Sequence, residues 1–247
     1  MGNVIEVRGV SKAYGGVIAN KDIDLNVADG KITGLIGPNG SGKTTLFNSI
    51  VGFHPIDRGS IRFDDQEIST MRVQQIARLG LLRTFQQTRI YGKMNCVQNM
   101  LISIPHRKHR IMDMFGYSTA ADREKADSLL EFVGLYGKRM LPAGDLSFGQ
   151  QKLLEFAMAL MNEPKVLLLD EPTAGINPTL INGLIDRLKR ANTDFGITLL
   201  VIEHNMRVIM NMADTVYCLA HGEILASGAP EAVQNDQRVI DAYLGAH

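Results

Sequence analysis

The sequence predicts an α/β fold: a parallel-sheet core, an antiparallel β subdomain at the N-terminus and an inserted helical subdomain. Three observations carry this. The apolar runs Val166-Leu167-Leu168-Leu169 and Thr198-Leu199-Leu200-Val201-Ile202 are continuous and unalternating, as are strands covered on both faces. Residues 4–36 hold short β-type runs punctuated by glycine turns, which suits an antiparallel piece. From about Gln87 to Leu160, helix formers replace β-branched runs. The 247 residues then form one domain, with about 1–86 and 161–247 as the catalytic α/β core with its β subdomain and about 87–160 as the helical subdomain.

Val4-Ile5-Glu6-Val7 and Ile23-Asp24-Leu25-Asn26-Val27 read as the first strands, with turns at Gly15-Gly16 and Asp29-Gly30. Ile32 to Ile36 reads as a buried strand, and Thr45-Leu46-Phe47 opens a helix. Between them, Gly37-Pro38-Asn39-Gly40-Ser41-Gly42-Lys43-Thr44 fits G-x-x-x-x-G-K-[ST], in the strand–loop–helix context that wraps nucleoside phosphates. Glycines let backbone N–H groups turn inward, Lys43 supplies a point charge to the β- and γ-phosphates, and the Thr44 hydroxyl can ligate Mg²⁺. The helix dipole favours the same anion. These residues, with Thr45 following, predict a nucleoside triphosphate site.

The helical stretches Ala121 to Val133 and Gln150 to Met161 dominate the insert. Inside it, residues 106–115 (His106-Arg107-Lys108-His109-Arg110-Ile111-Met112-Asp113-Met114-Phe115) join a basic cluster to apolar residues, a solvated loop or a contact surface for a partner. Globally, 26 Lys and Arg balance 26 Asp and Glu, so no net field points to nucleic acid or an anionic membrane surface. Cys96 and Cys218 are far apart and lack metal-ligand spacing, which predicts reduced packing residues. Met1-Gly2-Asn3-Val4-Ile5-Glu6 lacks the pattern of a secretory leader, and no run approaches the roughly 18 apolar residues that span a bilayer. A cytoplasmic protein is expected.

Lys165-Val166-Leu167-Leu168-Leu169-Asp170-Glu171-Pro172 ends an apolar strand in two adjacent carboxylates. Such a strand beside a phosphate loop places Asp170 near Mg²⁺, directly or through water, and lets Glu171 orient or deprotonate the attacking water. Upstream, Leu146-Ser147-Phe148-Gly149-Gln150-Gln151 starts the helix Lys152 to Met161, as a second anion-binding helix start or as an N-cap serine.

With these motifs in this order, the chain resembles the nucleotide-binding subunits of ABC (ATP-binding cassette) transporters over nearly its whole length. Gly37 to Thr44 is similar to Walker A, Asp170-Glu171 to Walker B with the catalytic Glu, and Leu146 to Gln150 to the LSGGQ signature. The resemblance implies a P-loop NTPase (RecA-like) core with ATP and Mg²⁺ as cofactors. It makes Gln86, in Thr84-Phe85-Gln86, the Q-loop residue that reaches Mg²⁺ and the attacking water. His204 becomes the switch histidine at the γ-phosphate, Tyr14 the aromatic that stacks on adenine, and Ser147, Gly149 and Gln150 the signature residues at the phosphate. Ala174-Gly175-Ile176-Asn177 occupies the D-loop position. Phe148 stands where the signature has its first glycine, and Asn177 where Asp is usual. Together with Glu203-His204-Asn205-Met206 and the ending Ala242-Tyr243-Leu244-Gly245, these departures resemble the LivG-type branch of high-affinity branched-chain amino acid importers.

In that family a complete ATP site joins the phosphate loop of one chain to the signature of another. The resemblance therefore implies an ATP-sandwich dimer with an identical or paralogous cassette, transmembrane permease subunits, an extracytoplasmic substrate-binding protein and no nucleic acid. It also implies a peripheral place on the cytoplasmic face of the inner or plasma membrane. The expected function is ATP hydrolysis powering uptake of branched-chain or other hydrophobic amino acids. The other readings are a soluble ABC ATPase of the iron–sulfur assembly type and the cassette of a lipid exporter. A small GTPase would need an Asn-Lys-x-Asp guanine reader after the loop, whereas Asn20-Lys21-Asp22-Ile23 precedes it and lacks the Asp.

Overall fold

The computed structural model describes residues 2–84, 90–104 and 118–244. Gln86, the 106–115 cluster and Gly245 lie outside the described residues. The chain divides into two compact units, one of Met1–Arg83, Lys165–Pro172 and Leu188–His247, the other of Thr84–Pro164 and Thr173–Arg187.

In chain order the first unit opens with β1 (Asn3–Tyr14), β2 (Val17–Ala28), β3 (Ile32–Ile36), α1 (Lys43–Ile50), β4 (Arg58–Phe63), β5 (Gln66–Glu67), α2 (Val73–Arg78) and β6 (Leu81–Arg83). The second unit contributes α3 (Cys96–Ile102), α4 (Ala120–Phe132) and α5 (Phe148–Leu160). Then follow β7 (Val166–Asp170), α6 (Pro178–Phe195), β8 (Thr198–Ile202), α7 (Met206–Met210), β9 (Thr215–Ala220), β10 (Glu223–Gly228), α8 (Pro230–Gln234) and α9 (Gln237–Leu244).

Two sheets make the first unit. One is antiparallel, in the order β2-β1-β4-β5. The short runs seen in the sequence grow into strands of 12 residues each, β1 and β2. Gly15 and Gly16, at φ 52° and 90°, close their hairpin, as a two-residue loop with both φ values positive requires. The other sheet runs β10-β9-β3-β8-β7-β6 and is parallel from β9 to β6, with β10 antiparallel at its edge. Every residue of β3, β7 and β8 is buried, which is why those segments lack alternation. Leu25, Phe47, Ile61, Leu168 and Leu200 belong to one continuous core in this unit.

Because β3, β6, β7, β8 and β9 are parallel, their carboxyl ends lie along one edge of the sheet, where open α/β sheets bind ligands. That edge receives Gly37 after β3, Arg83 at the end of β6, Asp170 at the end of β7 and Glu203-His204 after β8.

In the second unit α3, α4 and α5 pack on one another and bury Met100, Leu130 and Leu154. Each helix starts with a capping box, Asn95 with Gln98, Thr119 with Asp122 and Ser147 with Gln150, reciprocal bonds that satisfy two otherwise unpaired donors. Among the described residues no helix is long and apolar enough to cross a membrane.

Candidate nucleotide site

The phosphate loop is held from outside as well as by its own glycines. Gly37 has φ 146°, and a Cβ there would come within 2.0 Å of the Leu219 carbonyl oxygen at the end of β9, so only glycine fits. Gly42, at φ 103°, is similarly pressed against the Ala19 carbonyl, and the Asn20 amide donates to the Gly42 carbonyl at 3.2 Å. The Gly222 N–H donates to the Ser41 carbonyl at 3.1 Å. These contacts set the entry to α1, whose first residue is Lys43.

The Lys43 ammonium folds back into the loop and donates to the carbonyls of Gly37 at 2.8 Å and Pro38 at 2.9 Å and to Ser41 Oγ at 3.4 Å. Burial lowers its pKa from the ordinary lysine value, while the carboxylates of Glu171 and Asp170 oppose that shift. A desolvated cation at a glycine-rich loop and helix start is an arrangement that can receive an anion.

At the end of β7, Asp170 Oδ2 accepts from Arg83 Nη2 at 2.5 Å, and Asp170 Oδ1 is buried without a hydrogen-bond partner among the described residues. The other guanidinium nitrogen, Nη1, donates to Asn48 Oδ1, and the Phe47 ring centre lies 5.7 Å from Arg83 Cζ. Glu171 follows with φ 51°, a left-handed backbone that side-chain-bearing residues seldom adopt. Its N–H donates to the Ile202 carbonyl at 3.0 Å, and its Oε1 meets His204 Nε2. The strand β8 thus delivers both Ile202, which turns Glu171, and His204, which touches its carboxylate.

Tyr14 ends β1, half exposed, with His54 edge-on at 5.6 Å and Lys12 Nζ 5.4 Å from its ring centre. Asp57 fixes this corner by accepting from Lys12 Nζ at 2.8 Å and from the Ala13 N–H at 2.7 Å.

The first unit therefore holds the phosphate loop, Asp170, Glu171, His204 and Tyr14, and within it Lys43, Asp170, Glu171 and His204 form one electrostatic cluster. Ser147, Gly149 and Gln150 belong to the second unit. There Ser147 is the N-cap of α5, with its Oγ accepting from the Gln150 N–H at 3.4 Å. Phe148 sits in the first turn of α5 and is absent from the residues with positive φ, so replacing the signature glycine costs no backbone strain. Its ring packs on Gly175, where a Cβ would lie 2.9 Å from Phe148 Cε1. Asn177 accepts from the Thr179 N–H at 3.1 Å and from Thr179 Oγ1 at 2.9 Å at the start of α6, the capping work an Asp would do.

A sequence model of the ABC transporter family matches residues 20–174, which span the phosphate loop, the signature and Asp170-Glu171. The chain belongs to the ABC transporter family of ATP-binding cassettes. A second model, of branched-chain amino acid ATP-binding cassette transporters, matches residues 223–247 of this cassette. It is 37% identical to the high-affinity branched-chain amino acid transport ATP-binding protein BraF of Pseudomonas aeruginosa and 34% identical to LivG of Escherichia coli K12, in each case over 98% of both chains. Among solved structures, a nucleotide-free cassette from an ABC transporter superposes with a TM-score of 0.87 at 31% identity, covering 98% of this chain and 99% of the other. The ADP conformation of MJ1267, an ATP-binding cassette of an ABC transporter, gives 0.87 at 31% identity, covering 99% of this chain and 100% of the other. The cassette is thus an ATPase of the transport-coupled family, with the α/β fold its apolar runs predicted.

Sequence reasoning missed Arg83, Asn48, Asn20 and Tyr243. Arg83 carried a usable signal: an arginine beside an apolar strand end, in a sheet buried on both faces, needs a carboxylate partner. Tyr243, whose hydroxyl accepts from the Gly37 N–H at 2.8 Å, gave none, because nothing in a helical tail indicates which loop it will meet.

Proposed function

We propose that this cassette binds ATP and hydrolyses it to power uptake of branched-chain or other hydrophobic amino acids through an ABC importer. One observation carries the chemistry: Lys43, folded into the phosphate loop, lies in the field of Asp170 and Glu171, and Glu171 is in turn held by His204. The relatives' names and the match of the C-terminal residues support the importer and its cargo class. Neither iron–sulfur assembly nor lipid export has comparable support.

In this reading ATP displaces the Lys43 ammonium from the Gly37 and Pro38 carbonyls onto its phosphates, while Gly37 to Thr45 wrap them and Tyr14 stacks on adenine. The donors fit a hard cation, since Asp170 Oδ1 is buried and unpaired among the described residues and Thr44 is exposed in the first turn of α1. Mg²⁺ takes such oxygen ligands and, when bound, neutralises phosphate charge. Asp170, Thr44 and Gln86 would hold it. Glu171 accepts a proton from the attacking water, and His204 orients that carboxylate and contacts the γ-phosphate.

Ser147, Gly149 and Gln150 serve the nucleotide of a partner cassette, identical or paralogous, so ATP bridges two chains and hydrolysis releases them. The partners are permease subunits at the cytoplasmic face of the membrane and, indirectly, an extracytoplasmic substrate-binding protein. Purification of the tagged Glu171→Gln chain with Mg-ATP from detergent-solubilised native membranes tests this. Recovery of multi-span permeases is expected, and recovery of only soluble assembly factors overturns the importer.

A further inference from the structure

The C-terminal helix ends on the phosphate loop. The Gly37 N–H donates to the Tyr243 hydroxyl at 2.8 Å, a bond that joins residues 206 positions apart. On the other side of the same α-carbon, the Gly37 carbonyl accepts from the Lys43 ammonium at 2.8 Å. A single residue thus links the tail to the cation that faces the phosphates. A Cβ at Gly37 would lie 2.0 Å from the Leu219 carbonyl oxygen, so the loop passes close to β9 at this residue. If the Gly37 amide loses the phenol, a partly buried donor loses its acceptor. Val239, buried in the same helix, anchors α9 so that the phenol is delivered in place. The phenol itself is desolvated, which pushes its pKa up to about 12 and keeps it neutral.

We propose that Tyr243 is a positioning residue of the nucleotide site: through Gly37 it holds the phosphate loop in its binding form, so docking of α9 sets nucleotide affinity. This rests on the reading of Gly37 to Thr44 as the ATP site. Tyr217 provides the control, because its hydroxyl accepts a backbone bond of the same kind from the Asn26 N–H at 3.1 Å, in the same unit and outside the loop.

The experiment measures the Kd of a fluorescent ATP analogue, and thermal stability, for the full chain and for Tyr243→Phe and Tyr217→Phe. Phenylalanine keeps the packing of each ring and removes only the acceptor. Tyr243→Phe is expected to weaken binding about fivefold or more, the scale for leaving a buried amide unpaired, while Tyr217→Phe binds as the native chain does. Native affinity in Tyr243→Phe overturns the proposal and leaves the ATP site intact. Equal weakening in both variants also overturns it, because the effect is then general loosening. If the unmodified chain binds no analogue, the ATP-site reading fails, and this inference falls with it.

Discussion

Arg83 takes one oxygen of Asp170 at 2.5 Å and leaves the other, Oδ1, buried and without a hydrogen-bond partner among the described residues. The two side chains are 10% and 1% exposed, so solvent screens the pair little. Asp170 is thereby oriented by a cation from the neighbouring strand end, since β6 and β7 pair in parallel. Removing one member of a buried pair strands the other charge, at a cost of about 3–5 kcal/mol. Arg83→Leu is expected to lose stability on that scale in urea unfolding. The double variant Arg83→Leu/Asp170→Leu should recover most of it, because no charge is then stranded. Additive losses in that cycle would mean the two side chains are not energetically coupled.

Glu171 and His204 touch, and in the proposed reaction they act on the same water and phosphate. Glu171→Gln removes the proposed base and should lower steady-state ATP turnover by about 10²- to 10⁴-fold, the usual contribution of a positioned base. If the histidine works mainly by orienting that carboxylate, His204→Ala added to Glu171→Gln should cost less than it does alone, and the loss that remains reports its own proposed contact with the γ-phosphate. Steady-state kinetics of the two single variants and the double variant decide this. Multiplying losses would separate the residues' roles.

Much of this site was legible because the chemistry is local in sequence. Gly37 to Thr44 runs from the end of β3 into the first turn of α1, and Asp170-Glu171 ends an apolar run that can be read as a buried strand without knowing its neighbours. The all-buried β3, β7 and β8 were visible for the same reason: covered strands do not alternate. What stayed hidden is what topology alone creates. Arg83 and Asp170 meet across a β6–β7 pairing 87 residues apart, and Tyr243 meets Gly37 across 206. Propensity and periodicity describe faces and ends, whereas such pairs depend on which strand lies beside which. The lengths of β1 and β2 were also underread, because the alternation of a half-buried strand is broken by the register shifts along their pairing.

Lys43 is held by two carbonyls and a hydroxyl, and in the proposed function it supplies a charge to phosphate. Hydrogen bonds to charged groups contribute about 1.5–3 kcal/mol each, so Lys43→Ala should weaken ATP binding by about 10- to 100-fold. Isothermal titration with ATP measures it directly. Unchanged affinity would remove Lys43 from the phosphate contacts.

His54 gives the site a pH dependence. Burial, and then the nearby Lys12 charge, lower its pKa below the ordinary 6.5, so the folded protein binds this proton less readily than the unfolded chain does. Stability from this group is complete above pH 6.5 and is lost as pH falls through the lowered value. Asp57, whose carboxyl is held below its ordinary 3.8 by the hydrogen bond from Lys12, acts at a more acid pH and does not confound that window. Thermal unfolding from about pH 8 to 5 should show a larger fall for the native chain than for His54→Phe, which keeps a ring against Tyr14. Parallel curves would contradict the shift.

The left-handed backbone of Glu171 sets stability against activity. A non-glycine residue at φ 51° pays about 1–2 kcal/mol for its Cβ, and glycine there avoids this while adding about 0.5–1 kcal/mol of unfolded-chain entropy. Alanine keeps the steric penalty without the carboxylate. Both Glu171→Gly and Glu171→Ala should abolish turnover, and both keep the N–H that donates to the Ile202 carbonyl. The glycine variant should nevertheless be more stable than the alanine variant by about 1 kcal/mol, read as a shift in the urea midpoint at constant slope. The comparison cancels the lost contact with His204, whose side chain is 43% exposed and contributes little stability through that pair. If alanine matches glycine, the turn after β7 is unstrained. If glycine wins, the turn after β7 carries an unfavourable backbone at Glu171, the residue whose carboxylate meets His204.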